Sequence, residues 1–218
     1  MNVVVVYAHP YDGSFCKGLL DTVTSHLQSR GATVKVKDLV KMKFDAVMQP
    51  EDLKAASTEV YTDVVKREQE DILWSDAIVT IAPVWFGTMP GFLKGYFDKV
   101  FMTKFAYDVG VGGKHKEKRV FSLFTFGSND PYLDMAGQYQ CIHLTLDNLF
   151  GSVGFVDVAT KFYPSVPVVS DEERKQYLIE AAQFVDQIID CQPGEVGQVG
   201  NGGLTTRLHM QGYLNGKV

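Results

Sequence analysis

The chain has 218 residues, of which 45 % are hydrophobic and 22 % are charged, and its net charge at pH 7 is −5. This size and composition are typical of one soluble α/β domain with an appendage. The acidic balance and the lack of a basic stripe argue against a nucleic-acid partner, because nucleic-acid phosphates are bound by clustered Lys and Arg.

Cysteine usage and hydropathy indicate the cellular compartment of the protein. Cys16, Cys141 and Cys191 are odd in number and show no Cys-x-x-Cys spacing, so the sequence has neither a disulfide framework nor a zinc pattern. The five histidines show no paired spacing. No apolar run approaches the roughly 18 residues that span a bilayer. The first strand begins at Asn2, which leaves no room for a signal peptide. We expect a cytoplasmic protein with no membrane span and no metal.

In the first part of the chain, strands and helices alternate. Unbroken apolar runs predict strands that are buried on both faces, and apolar residues at helical spacing predict amphipathic helices. In chain order we expect a strand at 2–8, a turn at 9–14, a helix at 15–29, an edge-side strand at 33–38, a short helix after Pro50, a helix at 63–75 and a strand at 77–82.

The second part continues the alternation. Ser170 and Glu173 form a capping box that marks the start of the last helix. In chain order we expect a loop at 83–90, a helix at 92–101, a glycine-bearing connection at 104–118, a strand at 119–125, a polar turn at 127–132, a helix at about 134–150, a strand at 155–162, a helix at 170–191 and a glycine-rich tail at 192–218.

This order of elements predicts an α/β fold with a five-stranded parallel sheet and helices on both faces. Five strands with these crossovers suit the flavodoxin-like order 2-1-3-4-5, in which a ligand binds at the carboxyl ends of the strands where the order reverses. We expect residues 1–191 to form this domain and residues 192–218 to form the tail. The loops after strands 1, 3 and 4 would then meet at one crevice.

The first of these loops leads into a helix N-terminus, where unpaired backbone amides favour an anion. Ser14 offers a hydroxyl, Phe15 and Cys16 offer amides, and His9 offers a further donor. Two simpler explanations stay open. Ser14 would serve as a helix cap alone, and His9 would satisfy the turn beside its proline.

The second loop has the sequence Pro83-Val84-Trp85-Phe86-Gly87-Thr88-Met89-Pro90 and follows the most apolar strand. The four backbone amides from Val84 to Gly87 suit the edge of a ring system, and the two aromatic faces suit its plane. The alternative is that both aromatics fill the core. The residues that would line this ring site are Pro83, Val84, Trp85, Phe86 and Gly87.

The third loop runs from Thr125 to Tyr132 and is rich in glycine and polar residues. Gly127 would allow a close approach of the backbone to a ring, and Tyr132 would donate a hydrogen bond to a ring carbonyl. An ordinary turn is the alternative. Together, an anion site, a ring edge and a second ring edge match the parts of a flavin nucleotide.

At these residues the chain resembles the flavodoxin-like NAD(P)H quinone reductases, a family that includes quinone dehydrogenases and potassium-efflux ancillary oxidoreductases. The likeness spans roughly residues 1–132, and the third of its four stretches is long and specific. The stretches are Tyr7-Ala8-His9-Pro10 with Ser14-Phe15, Glu68-Gln69 leading to Trp74-Ser75-Asp76, Pro83–Pro90 with residues 93–101, and Phe105-Ala106-Tyr107.

The resemblance implies transfer of a hydride from NAD(P)H through bound FMN or FAD to a quinone or a similar small electrophile. It implies a homodimer, with aromatics such as Tyr107 facing the partner's flavin; the alternative is that Phe105 and Tyr107 belong to the core. We favour FMN because nothing in the sequence provides an adenine pocket. By likeness, the phosphate would be held by His9, Ser14, Phe15 and Cys16, the ring by Pro83, Val84, Trp85, Phe86 and Gly87, and its other edge by Thr125, Gly127 and Tyr132.

Two positions depart from the family pattern. Cys16 stands where the family usually has Asn, a change that keeps the backbone amide. Gln138 stands six residues beyond Tyr132, where the better-studied quinone reductases have His. We expect Tyr132 and Gln138 to be the catalytic pair, with Gln138 donating a hydrogen bond but taking up no proton. The alternative to an enzyme is a non-catalytic, flavodoxin-like redox-sensing or regulatory subunit.

Overall fold

The fold is taken from a computed structural model, which describes residues 1–196. In chain order the elements are β1 (Asn2–Tyr7), α1 (Phe15–Ser29), β2 (Thr33–Asp38), α2 (Pro50–Thr58), α3 (Asp63–Trp74), β3 (Ala77–Pro83), α4 (Gly91–Val100), β4 (Tyr107–Asp108), β5 (Gly112–Gly113), β6 (Arg119–Thr125), α5 (Asp130–Met135), α6 (Gln138–Leu146), a π-helical turn (Asp147–Gly151), β7 (Asp157–Tyr163) and α7 (Asp171–Asp190).

The long strands form one parallel sheet in the order β2-β1-β3-β6-β7. Counted without the two-residue strands β4 and β5, which pair in a separate antiparallel ribbon, this is the order 2-1-3-4-5. The prediction of a five-stranded flavodoxin-like sheet is therefore confirmed. The order reverses between β1 and β3, so the loops that follow these strands leave the sheet on either side of one crevice.

Each face of the sheet is covered by its own set of helices. Side chains alternate between the faces along a strand, so Val4 and Val6 join a core with α3, α4 and α6, while Val3 and Val5 join a core with α1 and α7. Burying each such side chain contributes about 1.5–3 kcal/mol. Apolar packing therefore stabilises both faces of the sheet, and the loops that follow the strands lie at its carboxyl edge.

The segment after β6 differs from the prediction. We expected a turn at 127–132 and one helix at about 134–150. Instead, α5 begins at Asp130, because Asn129 caps it by accepting a hydrogen bond from the Tyr132 amide. Gly137 then adopts φ +66°, a left-handed conformation that ends α5 and separates it from α6. A single helix at this position is wrong, and Tyr132 lies in a helix.

Smaller differences concern the ends of elements. The last strand is β7, two residues later than the start we expected, and the connection at 104–118 contains the β4–β5 ribbon. Of the expected tail, 192–196 are described: the Gly194 amide donates to Asp157 Oδ2 at 3.0 Å. Residues 197–218 lie outside the described part, and the boundary at 191 stays a prediction.

Candidate functional site

The loops that follow β1, β3 and β6 meet at the carboxyl edge of the sheet. The rings of His9 and Trp85 lie 6.3 Å apart in an edge-to-face arrangement, which joins the first loop to the second. The Cys16 thiol lies 3.3 Å from the hydroxyl of Thr125, which joins the first helix to the end of β6. Three segments that are distant in the sequence thus form one site.

The first loop presents the open end of α1. Ser14 caps the helix, since its Oγ accepts from the Lys17 amide at 3.2 Å. The backbone bonds of the helix begin at Lys17 and Gly18, which both donate to the Ser14 carbonyl. The amides of Phe15 and Cys16 therefore have no backbone acceptor among residues 1–196, and first-turn amides of this kind favour an anion. Capping and anion binding are compatible at Ser14.

His9 is held as a neutral ring. Its Nδ1 accepts a hydrogen bond from the Tyr11 amide at 3.1 Å. Burial lowers the pKa of His9 below its usual value, so the ring is neutral at pH 7, and the accepting role of Nδ1 places the proton on Nε2. The first loop therefore offers a neutral N–H donor beside the end of α1.

The second loop is a tight turn in which Trp85 and Thr88 exchange backbone hydrogen bonds of 2.9 and 3.2 Å. Its two central residues are left-handed, with φ +51° at Phe86 and +78° at Gly87, as a two-residue turn of type I′ requires. Phe86 is fully exposed and Trp85 is 42 % exposed. Neither aromatic fills the core, so that alternative is wrong.

The turn also limits which amides of the second loop can meet a ligand. The Val84 amide donates to the Thr125 carbonyl at 2.8 Å, and the Trp85 amide donates within the turn. We expected four amides, from Val84 to Gly87, to be available. The structure leaves those of Phe86 and Gly87, and a Cβ added to Gly87 would meet no described atom within 4 Å.

The third loop is short. Thr125 is buried at the end of β6, and Gly127 is exposed with no described atom within 4 Å of an added Cβ. Tyr132 lies on the first turn of α5 with its side chain about half exposed, and Gln138 is the first residue of α6. Among residues 1–196 the structure gives no hydrogen bond between the side chains of Tyr132 and Gln138, so they are separate groups beside the crevice.

Sequence reasoning missed three polar side chains here. The Tyr139 phenol donates to Asp130, Tyr7 lies 3.4 Å from Ser14 Oγ, and the buried Tyr163 hydroxyl has no hydrogen-bond partner in the described part of the chain. Tyr7 lies in the strand predicted at 2–8 and Tyr163 directly follows the strand predicted at 155–162, and that position was the available signal. The Tyr139 bond depends on the unforeseen break at Gly137.

Cys16 is not a reactive thiol. It is 1 % exposed, and burial raises the pKa of the thiol to about 12. A nucleophilic cysteine needs a lowered pKa, so the contribution of this residue to the site is its backbone amide and its contact with Thr125.

Two kinds of feature are absent from residues 1–196. No group of three or more His, Cys, Asp or Glu side chains has the geometry to hold a metal ion there. Over the same residues, no helix combines the length and apolarity needed to cross a membrane.

The chain is similar in sequence to known proteins. The model of a family described as having a flavodoxin-like fold matches residues 1–186. The chain is also 29 % identical over 188 residues to an uncharacterized NAD(P)H oxidoreductase of Haemophilus influenzae, across 84 % of this chain and 93 % of that protein.

Solved structures are similar over a comparable share of the chain. The NAD(P)H:quinone oxidoreductase from Methanothermobacter marburgensis has a TM-score of 0.77 and 26 % identity, and the match covers 86 % of this chain and 96 % of that one. An FMN-dependent NADH-azoreductase from Bacillus anthracis, in complex with FMN, has a TM-score of 0.69 and covers 87 % and 100 %. Its identity is 16 %, so this likeness concerns the fold alone.

Proposed function

The chain belongs to the flavodoxin-like fold family that its residues 1–186 match, and on that premise we propose that it is a flavin-dependent oxidoreductase. It takes reducing equivalents from NAD(P)H and passes them to a quinone or a similar electrophile. The similarity to NAD(P)H oxidoreductases from Haemophilus influenzae and Methanothermobacter marburgensis supports this activity. FMN is the proposed flavin, in keeping with the FMN-dependent azoreductase of the same fold.

The observation that carries the proposal is the meeting of three loops beside the open end of α1. The amides of Phe15 and Cys16 have no backbone acceptor in the described chain, and His9 adds an N–H donor. Such donors suit a phosphate monoester. Gly87 and Gly127 leave open space beside the second and third loops. The residues present therefore fit a phosphate tail and a flat ring.

The residues divide into three groups by what they would do for FMN. His9, Ser14, Phe15 and Cys16 would hold the phosphate. Pro83, Val84 and Trp85 would set the shape of the second loop, and the amides of Phe86 and Gly87 would donate to the ring edge. Thr125, Gly127 and Tyr132 would close the opposite edge. When bound, the flavin supplies the hydride chemistry, and the protein supplies orientation and hydrogen bonds.

Tyr132 and Gln138 are the proposed catalytic residues. Tyr132 is an O–H donor and Gln138 is an amide donor, and each would stabilise negative charge at the edge of the crevice. A glutamine cannot take up a proton, so any proton at this end must come from Tyr132 or from water. This chain would therefore lack a histidine's proton uptake near pH 6.5.

We further propose that the enzyme is a cytoplasmic homodimer. The turn of the β4–β5 ribbon presents Val109 and Val111, both more than 80 % exposed, with Tyr107 at its base. Apolar side chains grouped on a projecting turn favour a protein contact. A second copy that covered the ribbon would bring Tyr107 towards the neighbouring crevice.

The test is to purify the protein, release its cofactor by heat and identify it, and then add NADPH to the holoprotein without oxygen. Bound FMN that bleaches within seconds and is reoxidised by a quinone is the expected result. Tight FMN that does not bleach would instead favour the redox-sensing alternative. A protein with no flavin, and no affinity for added FMN, would contradict the proposal altogether. Light scattering on the same sample tests the dimer.

A further inference from the structure

Tyr139 contacts both ends of the third loop. Its ring stacks on Phe162 with 4.7 Å between centroids and 12° between planes, and it meets the edge of Phe126 at 5.3 Å. Phe126 is the first residue after β6. Its amide donates to the Tyr163 carbonyl at 2.9 Å, and its carbonyl accepts from the Val166 amide at 3.0 Å. The ring of Tyr139 therefore packs against a fixed start of the loop.

The phenol of the same residue holds the end of the loop. Its hydroxyl donates to Oδ1 of Asp130, the first residue of α5. Burial, together with the hydrogen bond to the Asp130 carboxylate, raises the pKa of the Tyr139 phenol above its usual value. The phenol remains a donor at neutral pH, and a bond to a carboxylate is among the stronger hydrogen bonds in proteins.

Residues 127–129 lie between these two anchors. Gly127 and Asn129 are exposed, and Asn129 is itself fixed as the cap of α5. Phe126 and Asp130 flank this stretch and Tyr139 contacts both of them, while the Ser128 carbonyl in its middle accepts a hydrogen bond from the Ser165 amide at 2.9 Å. A shift of Tyr139 would therefore act on the two ends of the stretch, at Gly127 and at Asn129.

We propose that Tyr139, through its bond to Asp130, is a positioning residue that holds residues 127–129 in the conformation that receives the edge of the flavin. This inference rests on the proposed function, since it assigns a role towards the same cofactor. Tyr139 lies beside Gln138 in the sequence, but it acts through the loop and not by contact with the ring. Removing the phenol oxygen would leave the aromatic packing in place and remove one restraint on the end of the loop, where Asn129 still caps α5.

The experiment measures FMN binding to the flavin-free protein by quenching of FMN fluorescence. Y139F is expected to raise the Kd for FMN about tenfold, because FMN binding must then order a loop conformation that the wild type holds with one charge-assisted hydrogen bond. D130A should match Y139F, and the double variant should be no weaker than either single variant, because both changes remove the same bond. D130N keeps an acceptor oxygen and should stay within about threefold of the wild type.

The matched control is Y61F, which removes a tyrosine hydroxyl that donates to the Thr103 carbonyl at 2.9 Å, away from the three loops. Y61F and Y139F should lower the melting temperature of the flavin-free protein to a similar extent, while Y61F leaves the Kd for FMN unchanged. Visible circular dichroism of the bound flavin should change in Y139F and not in Y61F, since it reports the surroundings of the ring.

Three results would overturn the inference while leaving the proposed function intact. These are equal FMN affinity in Y139F and wild type, a loss in Y61F as large as in Y139F, or losses in Y139F and D130A that add in the double variant. Failure of the wild-type protein to bind FMN would instead contradict the proposed function. The two failures are therefore distinguishable in one set of titrations.

Discussion

In the described part of the chain, polar groups are hydrogen-bonded within the protein at one edge of the sheet and left without such partners at the other. At the amino edge, Arg119 is buried and makes four hydrogen bonds: its guanidinium binds Asp157 at 2.8 Å and donates to the carbonyls of Gln187 and Ile188, each at 2.9 Å, and of Cys191 at 3.0 Å. Lys118 likewise donates to the Leu73 carbonyl in the last turn of α3 and to the carbonyl of Ser75, just after that helix. Charged side chains at this edge donate hydrogen bonds to the carbonyls at the C-terminal ends of helices.

At the carboxyl edge, donors are left open instead. The amides of Phe15 and Cys16 have no backbone acceptor within residues 1–196, and the turn at Phe86 and Gly87 projects into solvent. The histidines show the same contrast. His115 at the amino edge is enclosed by the rings of three phenylalanines, whereas His9 at the carboxyl edge keeps an N–H donor for a ligand.

This difference separates stability from binding within one sheet. Buried and satisfied polar groups contribute to the free energy of unfolding, because removing one partner leaves the other without compensation. Open donors contribute little to folding and are available to an anionic ligand. Substitutions at the amino edge should therefore change stability, and substitutions at the carboxyl edge should change FMN binding.

The largest expected effect is on the buried ion pair at the amino edge. Arg119 and Asp157 are 2 % and 0 % exposed. Replacing Arg119 with Met removes the cation but leaves the Asp157 carboxylate buried, which should lower the free energy of unfolding by about 3–5 kcal/mol. Urea unfolding of the flavin-free protein, followed by circular dichroism, measures this change.

The control for that variant is Lys175→Met, which removes an ion pair to Glu172 that is exposed on both sides. Exposed pairs contribute about 0–1 kcal/mol, so K175M should unfold at nearly the urea concentration of the wild type. A stability loss in R119M no larger than that in K175M would contradict the assignment of the amino edge to stability. FMN affinity should be unchanged in K175M.

The next effect is on the pH dependence of stability. Burial lowers the pKa of His115 to about 4, with Lys118 and Lys114 adding to the effect. The folded protein therefore holds the neutral ring, while the unfolded chain takes up the proton near pH 6.5. The stability that this residue contributes is fully present above pH 6.5 and is lost as the pH falls towards 4, by up to roughly 3 kcal/mol.

The variant that tests this is His115→Phe, which places a fourth aromatic ring in the cluster and removes the titrating group. Between pH 6.5 and 4, the free energy of unfolding of the flavin-free wild type should fall more steeply than that of H115F. At pH 8 both proteins hold an uncharged side chain here, and the two curves should run parallel. Parallel curves down to pH 4 would show that His115 does not titrate in this way.

The sequence predicted the features that depend on local pattern. Apolar runs, and at 33–38 an alternation of polar and apolar residues, identified the five long strands, and their order followed from the alternation with helices. The convergence of the three loops followed from that order, because the carboxyl ends of parallel strands share one edge. The sequence therefore predicted His9, Ser14, Trp85 and Gly127 beside the crevice.

The features that the sequence did not predict depend on pairing between distant residues. The Val84 amide was expected to meet a ligand, but it extends the ladder to the Thr125 carbonyl, and no local pattern reports where such a ladder ends. The break at Gly137 was missed because the apolar periodicity continues across it. The bond between Tyr139 and Asp130 forms only because α6 turns back on α5 at that glycine.

The smallest expected effect on stability, with the clearest effect on binding, is at Gly87. This residue has φ +78° and no described atom within 4 Å of an added Cβ, so Gly87→Val causes no clash and costs about 1–2 kcal/mol of backbone strain. The turn at Phe86 should then relax away from the left-handed conformation. The Kd for FMN should rise at least about tenfold, a loss of roughly 1.4 kcal/mol in binding.

Gly31 supplies the matched control for that change. It follows the C-terminal end of α1 at the amino edge of the sheet, with φ +85°, and it also has no described atom within 4 Å of an added Cβ. Gly31→Val should therefore lower the free energy of unfolding by a similar amount and leave FMN affinity as in the wild type. If both variants lost FMN equally, strain transmitted through the whole sheet would explain the effect, and the division between the two edges would fail. A loss confined to G87V places the flavin ring beside the second loop.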